Sequence, residues 1–330
     1  MIEANAVFAE SEKKGSLSDL LEFNRDWNLL GNPDYHVNDD KLAYSINGLI
    51  REFDPYNKGI ISQTRFYKLL YLLSYNLENE GIDIKLPYFW YRYGPVVPIH
   101  FLPKDIIEIR PTNWGKHSGK AVLLRNRIAF NSLRSDKDSI DNAIKMLWEK
   151  YHGSKTDKIV LDAYATAPYE FQRRYKDFYK FISYKVNYRQ IIGLVQKLKE
   201  NEDIIRLENA VESFDESEFA EAYDDLLQWR LITKYSIQEL GTIDSVFMMG
   251  LSSIYWDRLF CKFLQTKKYN NLPSRLVRTW QRSLPNSSKE FKKEFKILEY
   301  KFYSKVYKPT DGLSKNTRNA YCECISSLFK

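Results

Sequence analysis

The chain has 330 residues, of which 44% are hydrophobic and 28% charged, and its formal net charge is +7. These values are typical of a folded globular protein with room for about two domains, and 13 Gly and 11 Pro argue against a glycine-rich nucleotide fold and long disordered linkers. No apolar run approaches the roughly 18 residues of a membrane span, and the first residues lack the features of a signal peptide. We therefore expect a cytoplasmic protein that does not contact a membrane.

The three cysteines, Cys261, Cys322 and Cys324, fit the same reducing compartment. The last two form a C-x-C pair without the second Cys or His pair that tetrahedral zinc requires. We predict no metal and no cofactor; a zinc ion shared with another chain is the remaining alternative.

Residues 1–40 are polar and irregular, which predicts an N-terminal arm with one short helix. The next apolar residues follow helical spacing and end at Pro55, which predicts a first helix. A second helix begins near Thr64 and carries a core-facing stripe of apolar residues three and four positions apart. The stripe consists of Phe66, Leu69, Leu70, Leu73 and Leu77. Gly81 is well placed to close this helix in a left-handed conformation.

An aromatic segment at 84–94, IKLPYFWYRYG, predicts a strand, because aromatic side chains favour a pleated, half-buried surface. Residues 105–111 and 120–130 are further strand candidates. The loop 112–119 between them is rich in Gly, Asn and Ser, which indicates a hairpin.

Helical periodicity dominates from residue 138 onward. The predicted helices cover 138–151, 155–165, 187–200, 215–229, 236–240, 243–266, 274–282, 288–305 and 314–328, with breaks at Pro273, Pro285 and Pro309. We predict an α+β, mostly helical fold: a small antiparallel sheet packed on helices in a domain at 41–185, followed by an all-α C-terminal domain at 186–330.

Charge is unevenly distributed along the C-terminal half. Residues 200–225 hold eleven acids and one Arg, whereas residues 262–308 hold thirteen Lys and Arg and three Glu. In one interpretation the basic region contacts nucleic-acid phosphates. The lysines concerned are Lys289, Lys292, Lys293 and Lys296. In the other interpretation it neutralises the acidic region or forms a solvated helix face, which Glu290 and Glu294 at i,i+4 spacing favour.

The hairpin loop also admits two interpretations. Lys116 and Lys120 would lie at phosphates if the hairpin were the wing of a winged-helix DNA binder. An ordinary solvated hairpin tip explains the same residues.

No catalytic motif is found in the sequence. The P-loop, nucleophile-elbow, zinc-protease and dinucleotide-binding patterns are missing, and the acid pairs at 39–40 and 224–225 diverge by about 100° on a helix. The four histidines are scattered and have no metal-ligating neighbour at i+3 or i+4: His36, His100, His117 and His152. An acid site assembled only in three dimensions, as in a nuclease or nucleotide-modifying toxin, is a further alternative.

Two motifs together resemble the Panacea domain, also called the SocA-like antitoxin domain. The sequence KLLY at 68–71 precedes the aromatic segment FWYRYGPVV at 89–97. The matching residues are Lys68, Leu69, Leu70, Tyr71, Trp90, Tyr93, Gly94, Pro95 and Val96. A weaker match at 158–175 has Tyr169 where the family usually has Trp, and Ala165 where a His is common.

The resemblance covers residues 41–185, and residues 186–330 have no counterpart in it. It implies a protein of toxin–antitoxin or phage-defence modules that binds a partner protein, either neutralising a toxin or acting as an adaptor. The alternative function is a nucleic-acid-binding regulator that uses the 104–130 hairpin or the basic 262–308 region.

The end of the aromatic segment holds the predicted contact site. Gly94 frees the backbone and Pro95 lacks an amide donor, so we expect strand pairing to stop there. Alternation puts Trp90 and Arg92 on one face and the other aromatic residues on the opposite face. Either the strand is sandwiched, or one aromatic face meets a partner. Because Tyr and Arg are typical interface anchors, the predicted partner-binding residues are Tyr91, Arg92, Tyr93, Gly94 and Pro95.

Overall fold

The structure is a computed structural model that describes residues 35–37, 39–92, 94–103, 106–114, 117–125, 136–189, 200–238 and 245–306. The chain packs into two compact units. We call residues 7–167 with 264–281 the sheet unit, and residues 1–6, 168–263 and 282–330 the helical unit. These units are groups of residues in contact. The domain boundaries predicted after residues 40 and 185 describe pieces that fold independently, so they stay a prediction.

Helices and short strands mix in the first half of the chain, and helices dominate the second. In chain order the elements are α1 (Asp40–Phe53), α2 (Gln63–Asn79), β1 (Tyr88–Tyr91), β2 (Gly94–Val96), β3 (Ile107–Trp114), β4 (His117–Leu124), α3 (Lys137–Tyr151), α4 (Thr156–Ala165), α5 (Glu170–Arg189), α6 (Glu200–Glu212), α7 (Tyr223–Gln238), α8 (Ser245–Ile254), α9 (Cys261–Lys267), β5 (Tyr269–Asn270) and α10 (Ser274–Val306). The predicted α+β, mostly helical fold class is confirmed.

Helix α2 forms the core of the sheet unit, and the predicted stripe faces inward. All five stripe residues are fully buried. Ser62 caps the N-terminus through its side chain. At the other end Gly81 has φ +81°, and the amides of Gly81 and Ile82 donate to the carbonyls of Glu78 at 3.0 Å and Leu77 at 2.8 Å. This is the Schellman arrangement that a left-handed glycine permits.

The loop between α1 and α2 is organised by a buried carboxylate. Asp54 is 3% exposed, and its oxygens accept from the amides of Lys58 at 2.9 Å, Gly59 at 2.7 Å and Ile60 at 3.2 Å. The side chain of Asn57 continues this order, since it donates to the Leu124 carbonyl and accepts from the Leu124 amide, both at 2.8 Å. The loop is therefore tied to the end of β4.

Two separate antiparallel sheets lie in the sheet unit, with strand orders β2-β1-β5 and β3-β4. The predicted hairpin is confirmed as β3–β4, in register from Ile107 opposite Leu124 to Trp114 opposite His117. Its strands extend into the predicted loop 112–119, and the turn at 115–116 lies outside the described residues.

The expectation that strand pairing stops at Gly94 is wrong. Strand β2 pairs back onto β1, with Gly94 opposite Tyr91 and Pro95 opposite Trp90. Pairing persists because β2 is an edge strand and the N–H that Pro95 lacks would point away from β1, where the sheet has no further strand. The Trp90 amide donates instead to the Lys268 carbonyl at 2.9 Å, away from β2, so Trp90 and Pro95 form a non-hydrogen-bonded pair.

The helical unit is packed around aromatic side chains. The rings of Tyr175 and Trp256 stack with centroids 4.6 Å apart, and the indole of buried Trp229 donates to the Leu251 carbonyl at 2.6 Å. The hydroxyl of Tyr255 donates to the Ala222 carbonyl at 3.0 Å. Burying these rings contributes strongly to packing, while the indole of Trp229 and the hydroxyl of Tyr255 have hydrogen-bond partners.

The helix predictions need correction in several places. Helix α6 was predicted only at its first residue, and α7 begins at Tyr223 instead of residue 215. Helix α5 begins at Glu170, whereas the sequence predicted a helix only from residue 187.

Helix α10 runs through Pro285, where a break was predicted. Proline lacks the N–H that would donate a hydrogen bond to the carbonyl four residues earlier, which belongs to exposed Gln281. Because water reaches that position and Phe291 and Phe295 beyond it are buried, the helix continues.

Most of the predicted N-terminal arm lies outside the described residues. Its last part belongs to the sheet unit, where the Val37 amide donates to the Phe101 carbonyl at 2.8 Å. The predicted helix 314–328 also lies outside the described residues. Across the described ranges, no helix has the length and apolar character needed to span a membrane.

Candidate functional site

The two motifs of the sequence analysis meet in one buried group, which we call the Lys68 cluster. It consists of Lys68, Tyr71, Trp90, Gly94, Pro95 and Tyr164. The side chains of Lys68 and Tyr71 come from α2, the hairpin β1–β2 lies against that helix, and Tyr164 comes from α4.

Lys68 is the polar centre of the cluster. Its side chain is 4% exposed, and its Nζ donates to the Pro95 carbonyl at 2.7 Å. A buried ammonium is tolerated when oxygen acceptors replace its water. Pro95 provides one because it belongs to a non-hydrogen-bonded pair, so its carbonyl points away from β1. The edge strand and the helix are thereby joined through a charge-assisted bond.

Gly94 permits this close approach. Its φ is +88°, in the left-handed region. A Cβ at this position would lie 3.3 Å from Lys68 Nζ and 3.3 Å from Cε2 of Tyr164. Both the backbone conformation and the available space therefore require glycine here.

Tyr164 holds the turn from the other side. Its hydroxyl donates to the Arg92 carbonyl in a short hydrogen bond, and its ring meets Trp90 edge-on with centroids 5.9 Å apart. Tyr164 is 4% exposed. The turn between β1 and β2 is thus fixed by a side chain of α4, which the sequence analysis did not identify as part of the site.

Tyr71 closes the cluster. Its ring contacts Trp90 edge-on at 5.7 Å, and its hydroxyl lies 3.1 Å from Thr166 Oγ1. Because the Thr166 hydroxyl donates to the Ala163 carbonyl at 2.7 Å, it is the acceptor for Tyr71. Burial raises the pKa of Tyr71 above its usual value, which keeps the phenol neutral and able to donate.

Aromatic rings cover both faces of β1. Trp90 packs against α2 and α4, while Phe89 on the opposite face lies 5.1 Å from the ring of Trp280. Phe89, Trp90 and Tyr91 are all at most 4% exposed. The strand is sandwiched, as one of the two alternatives had it.

The predicted partner-binding residues differ in exposure. Tyr91, Gly94 and Pro95 are buried, Arg92 is half-buried, and Tyr93 lies outside the described residues. The guanidinium of Arg92 lies 5.9 Å from the centroid of the Tyr91 ring. Of the four described residues, Arg92 is therefore the one with surface to offer a partner.

The residues predicted to contact nucleic acid also differ. Lys120, Lys289, Lys293 and Lys296 are exposed, and Lys116 lies outside the described residues. Lys292 is exposed too, but its Nζ lies 3.6 Å from the carboxylate of buried Asp225. Burial raises the pKa of Asp225 and the nearby ammonium opposes that rise, so the charge of Lys292 serves the fold.

The weaker third match covers most of α4 and the start of α5, and its Tyr169 lies in the helical unit. Tyr169 packs edge-on against Phe219 with centroids 4.8 Å apart. Burial raises the pKa of its phenol, as do the nearby carboxylates of Glu218 and Asp215.

Among the described residues, no group of His, Cys, Asp and Glu side chains could hold a metal ion. The loop after α1 has the spacing of a calcium loop, with Asp54 first and Gly59 sixth. Positions three, five and twelve are Tyr56, Lys58 and Arg65, which supply no carboxylate. The Asp54 carboxylate instead binds loop amides, so this donor set does not fit calcium.

The histidines and the paired acids of the described residues make separate contacts in different places. His152 stacks on Trp148 with centroids 4.3 Å apart, and the Nδ1 of His36 lies 3.1 Å from the Leu102 carbonyl. Asp225 is buried while Asp224 beside it is exposed, as expected for adjacent residues on a helix.

A groove of about 510 Å³ lies between α1 and α3. Its walls carry both charge signs, including Arg51, Lys145 and Asp141. Tyr44 donates to the Asp141 carboxylate at 2.7 Å; partial burial and that carboxylate raise the pKa of Tyr44 to about 12. The groove is open, and its two acids, Glu52 and Asp141, come from different helices.

Comparison of the chain with family models, curated proteins and solved structures finds no match. The Panacea resemblance therefore stays a prediction that depends on the motif residues.

Proposed function

We propose that this chain is an antitoxin-like or phage-defence-associated protein that acts in the cytoplasm by binding a partner protein. The partner would be a cognate toxin or another component of the defence system. The observation that supports the proposal is the Lys68 cluster, in which residues from both matching motifs lie in direct contact.

The cluster supports recognition because it fixes a turn. Lys68 binds the backbone after the turn and Tyr164 binds the Arg92 carbonyl within it. A turn held from two helices presents its side chains with little loss of conformational freedom on binding. Arg92 supplies donors for a partner carboxylate, and such residues are frequent interface anchors.

Affinity measurement with the product of the adjacent gene tests the proposal. We expect Arg92→Ala to weaken binding about tenfold or more, since removing an anchor costs above 1 kcal/mol. Arg110→Ala is the matched control, because Arg110 is an exposed arginine of the sheet unit in another hairpin, paired with Glu108 at 2.7 Å. Equal affinities for the two variants, or no complex with the wild-type chain, would refute the proposal.

A further inference from the structure

We propose that one face of α10 in the helical unit binds single-stranded nucleic acid, independently of the protein partner proposed above. We call Arg282, Lys289, Lys293 and Lys296 the basic face. All four are exposed. At about 100° per residue, they fall within an arc of roughly 60° on the helix.

The acids of this segment lie outside that arc. Glu290 and Glu294, whose spacing favours a salt-bridged surface in the sequence, lie about 80° and 120° from Arg282 around the helix axis. Glu294 pairs with Arg258 at 3.2 Å. Within the described part of the chain, no ion pair involves the four cations of the basic face. Lys292 is about 80° away and pairs with Asp225 at 3.6 Å.

Charge and spacing favour a phosphate backbone as the occupant. With a rise of about 1.5 Å per residue, the basic face extends about 21 Å along the helix, and neighbouring lysines are about 4.5 and 6 Å apart. A linear row of cations without intervening acids complements an extended polyanion.

The end of the row favours single strands over duplexes. Tyr300 continues the basic face about 6 Å beyond Lys296, and the residue is 52% exposed. Neighbouring Ile297 is 51% exposed. Proteins that bind single strands combine backbone cations with aromatic rings on which unpaired bases stack.

An anionic membrane is a poorer occupant. Amphipathic helices bind membranes by inserting their apolar face. The apolar face of this segment is already buried, since Phe291 is 0%, Phe295 3% and Phe302 2% exposed.

Fluorescence anisotropy with a labelled oligo-uridine of about 20 nucleotides tests the proposal. The binding constant is measured at several salt concentrations between about 50 and 200 mM. Four phosphate contacts predict a slope of log K against log salt of about −2.8. The variant Lys289→Gln with Lys293→Gln should reduce the slope to about −1.4. Tyr300→Leu should weaken binding without changing the slope.

The control variant, Lys180→Gln with Lys301→Gln, removes the same charge from exposed positions. Lys301 lies about 100° from Arg282 around the axis of α10, and Lys180 lies on α5. This variant should keep the wild-type slope, and Lys289→Arg with Lys293→Arg should also keep it. Circular dichroism verifies folding of every variant.

Four outcomes would overturn the proposal: no binding at 50 mM salt, equal slopes for the two glutamine variants, tighter binding of a duplex of equal length, or binding to phosphatidylserine vesicles in preference to the oligonucleotide.

Discussion

Replacing Gly94 with Ala tests the packing of the turn directly. At φ +88°, a left-handed backbone costs an L-residue about 1–2 kcal/mol. The new Cβ would also lie 3.3 Å from both Lys68 Nζ and the Tyr164 ring, and crowding in a packed interior costs a further 1–3 kcal/mol or so. Neither neighbour moves freely, because each is hydrogen-bonded to the hairpin. We expect a total loss of about 2–5 kcal/mol.

Two other glycines of the sheet unit separate these contributions. Gly81 has φ +81° and a Cβ added there would have no atom within 4 Å, so Gly81→Ala should cost only the backbone part, about 1–2 kcal/mol. At Gly153 neither crowding nor a left-handed backbone applies, and Gly153→Ala should cost almost nothing. Urea unfolding at constant m-value gives the three free energies. A loss for Gly94→Ala no larger than that for Gly81→Ala would refute the described packing.

Three further predictions concern single groups of the sheet unit. Tyr164→Phe removes only the hydroxyl bound to the Arg92 carbonyl and should lower the free energy of unfolding by about 1 kcal/mol; an unchanged value in urea unfolding would contradict that bond. Asp54→Asn removes the charge that three loop amides share and should cost about 1–3 kcal/mol in the same assay, whereas a neutral effect would mean that the loop is ordered by other contacts. Burial lowers the pKa of His100 below 6.5, and His36 and Lys120 nearby act in the same direction. The unfolded chain therefore binds a proton that the folded chain does not, so stability should fall as pH decreases through 6.5; His100→Gln should flatten that decline between about pH 7 and 5, and identical pH profiles would exclude this source.

The sequence predicted those elements that are determined by residues close together in the chain. The stripe on α2 and its closure at Gly81 follow from spacing and backbone preference alone. The β3–β4 hairpin follows from apolar runs flanking a turn-rich loop. Helix α5 was missed, although Phe171, Tyr175, Phe178 and Ile182 follow helical spacing and are buried. Aromatic residues have modest helix propensity, and here their tertiary packing decides the outcome.

The site was predictable only in part. That a small sheet packs on helices was predicted, and the contact between the KLLY helix and the aromatic segment is part of that packing. The reversal at Gly94 was not, because a Gly-Pro pair stops a central strand but is compatible with an edge strand, and edge position depends on the whole sheet. The role of Tyr164 had no local signal, since its bond to Arg92 spans 72 positions in the chain.

The partner affinity of Tyr164→Phe tests most directly whether the Lys68 cluster positions the turn for recognition. Tyr164 is buried and would not touch the partner, so a role in packing alone predicts lower stability with unchanged affinity. If the cluster holds the turn in its binding conformation, affinity for the adjacent gene product should fall about fivefold, the equivalent of the roughly 1 kcal/mol lost with the hydroxyl. Unchanged affinity in a folded variant would contradict this account of the turn.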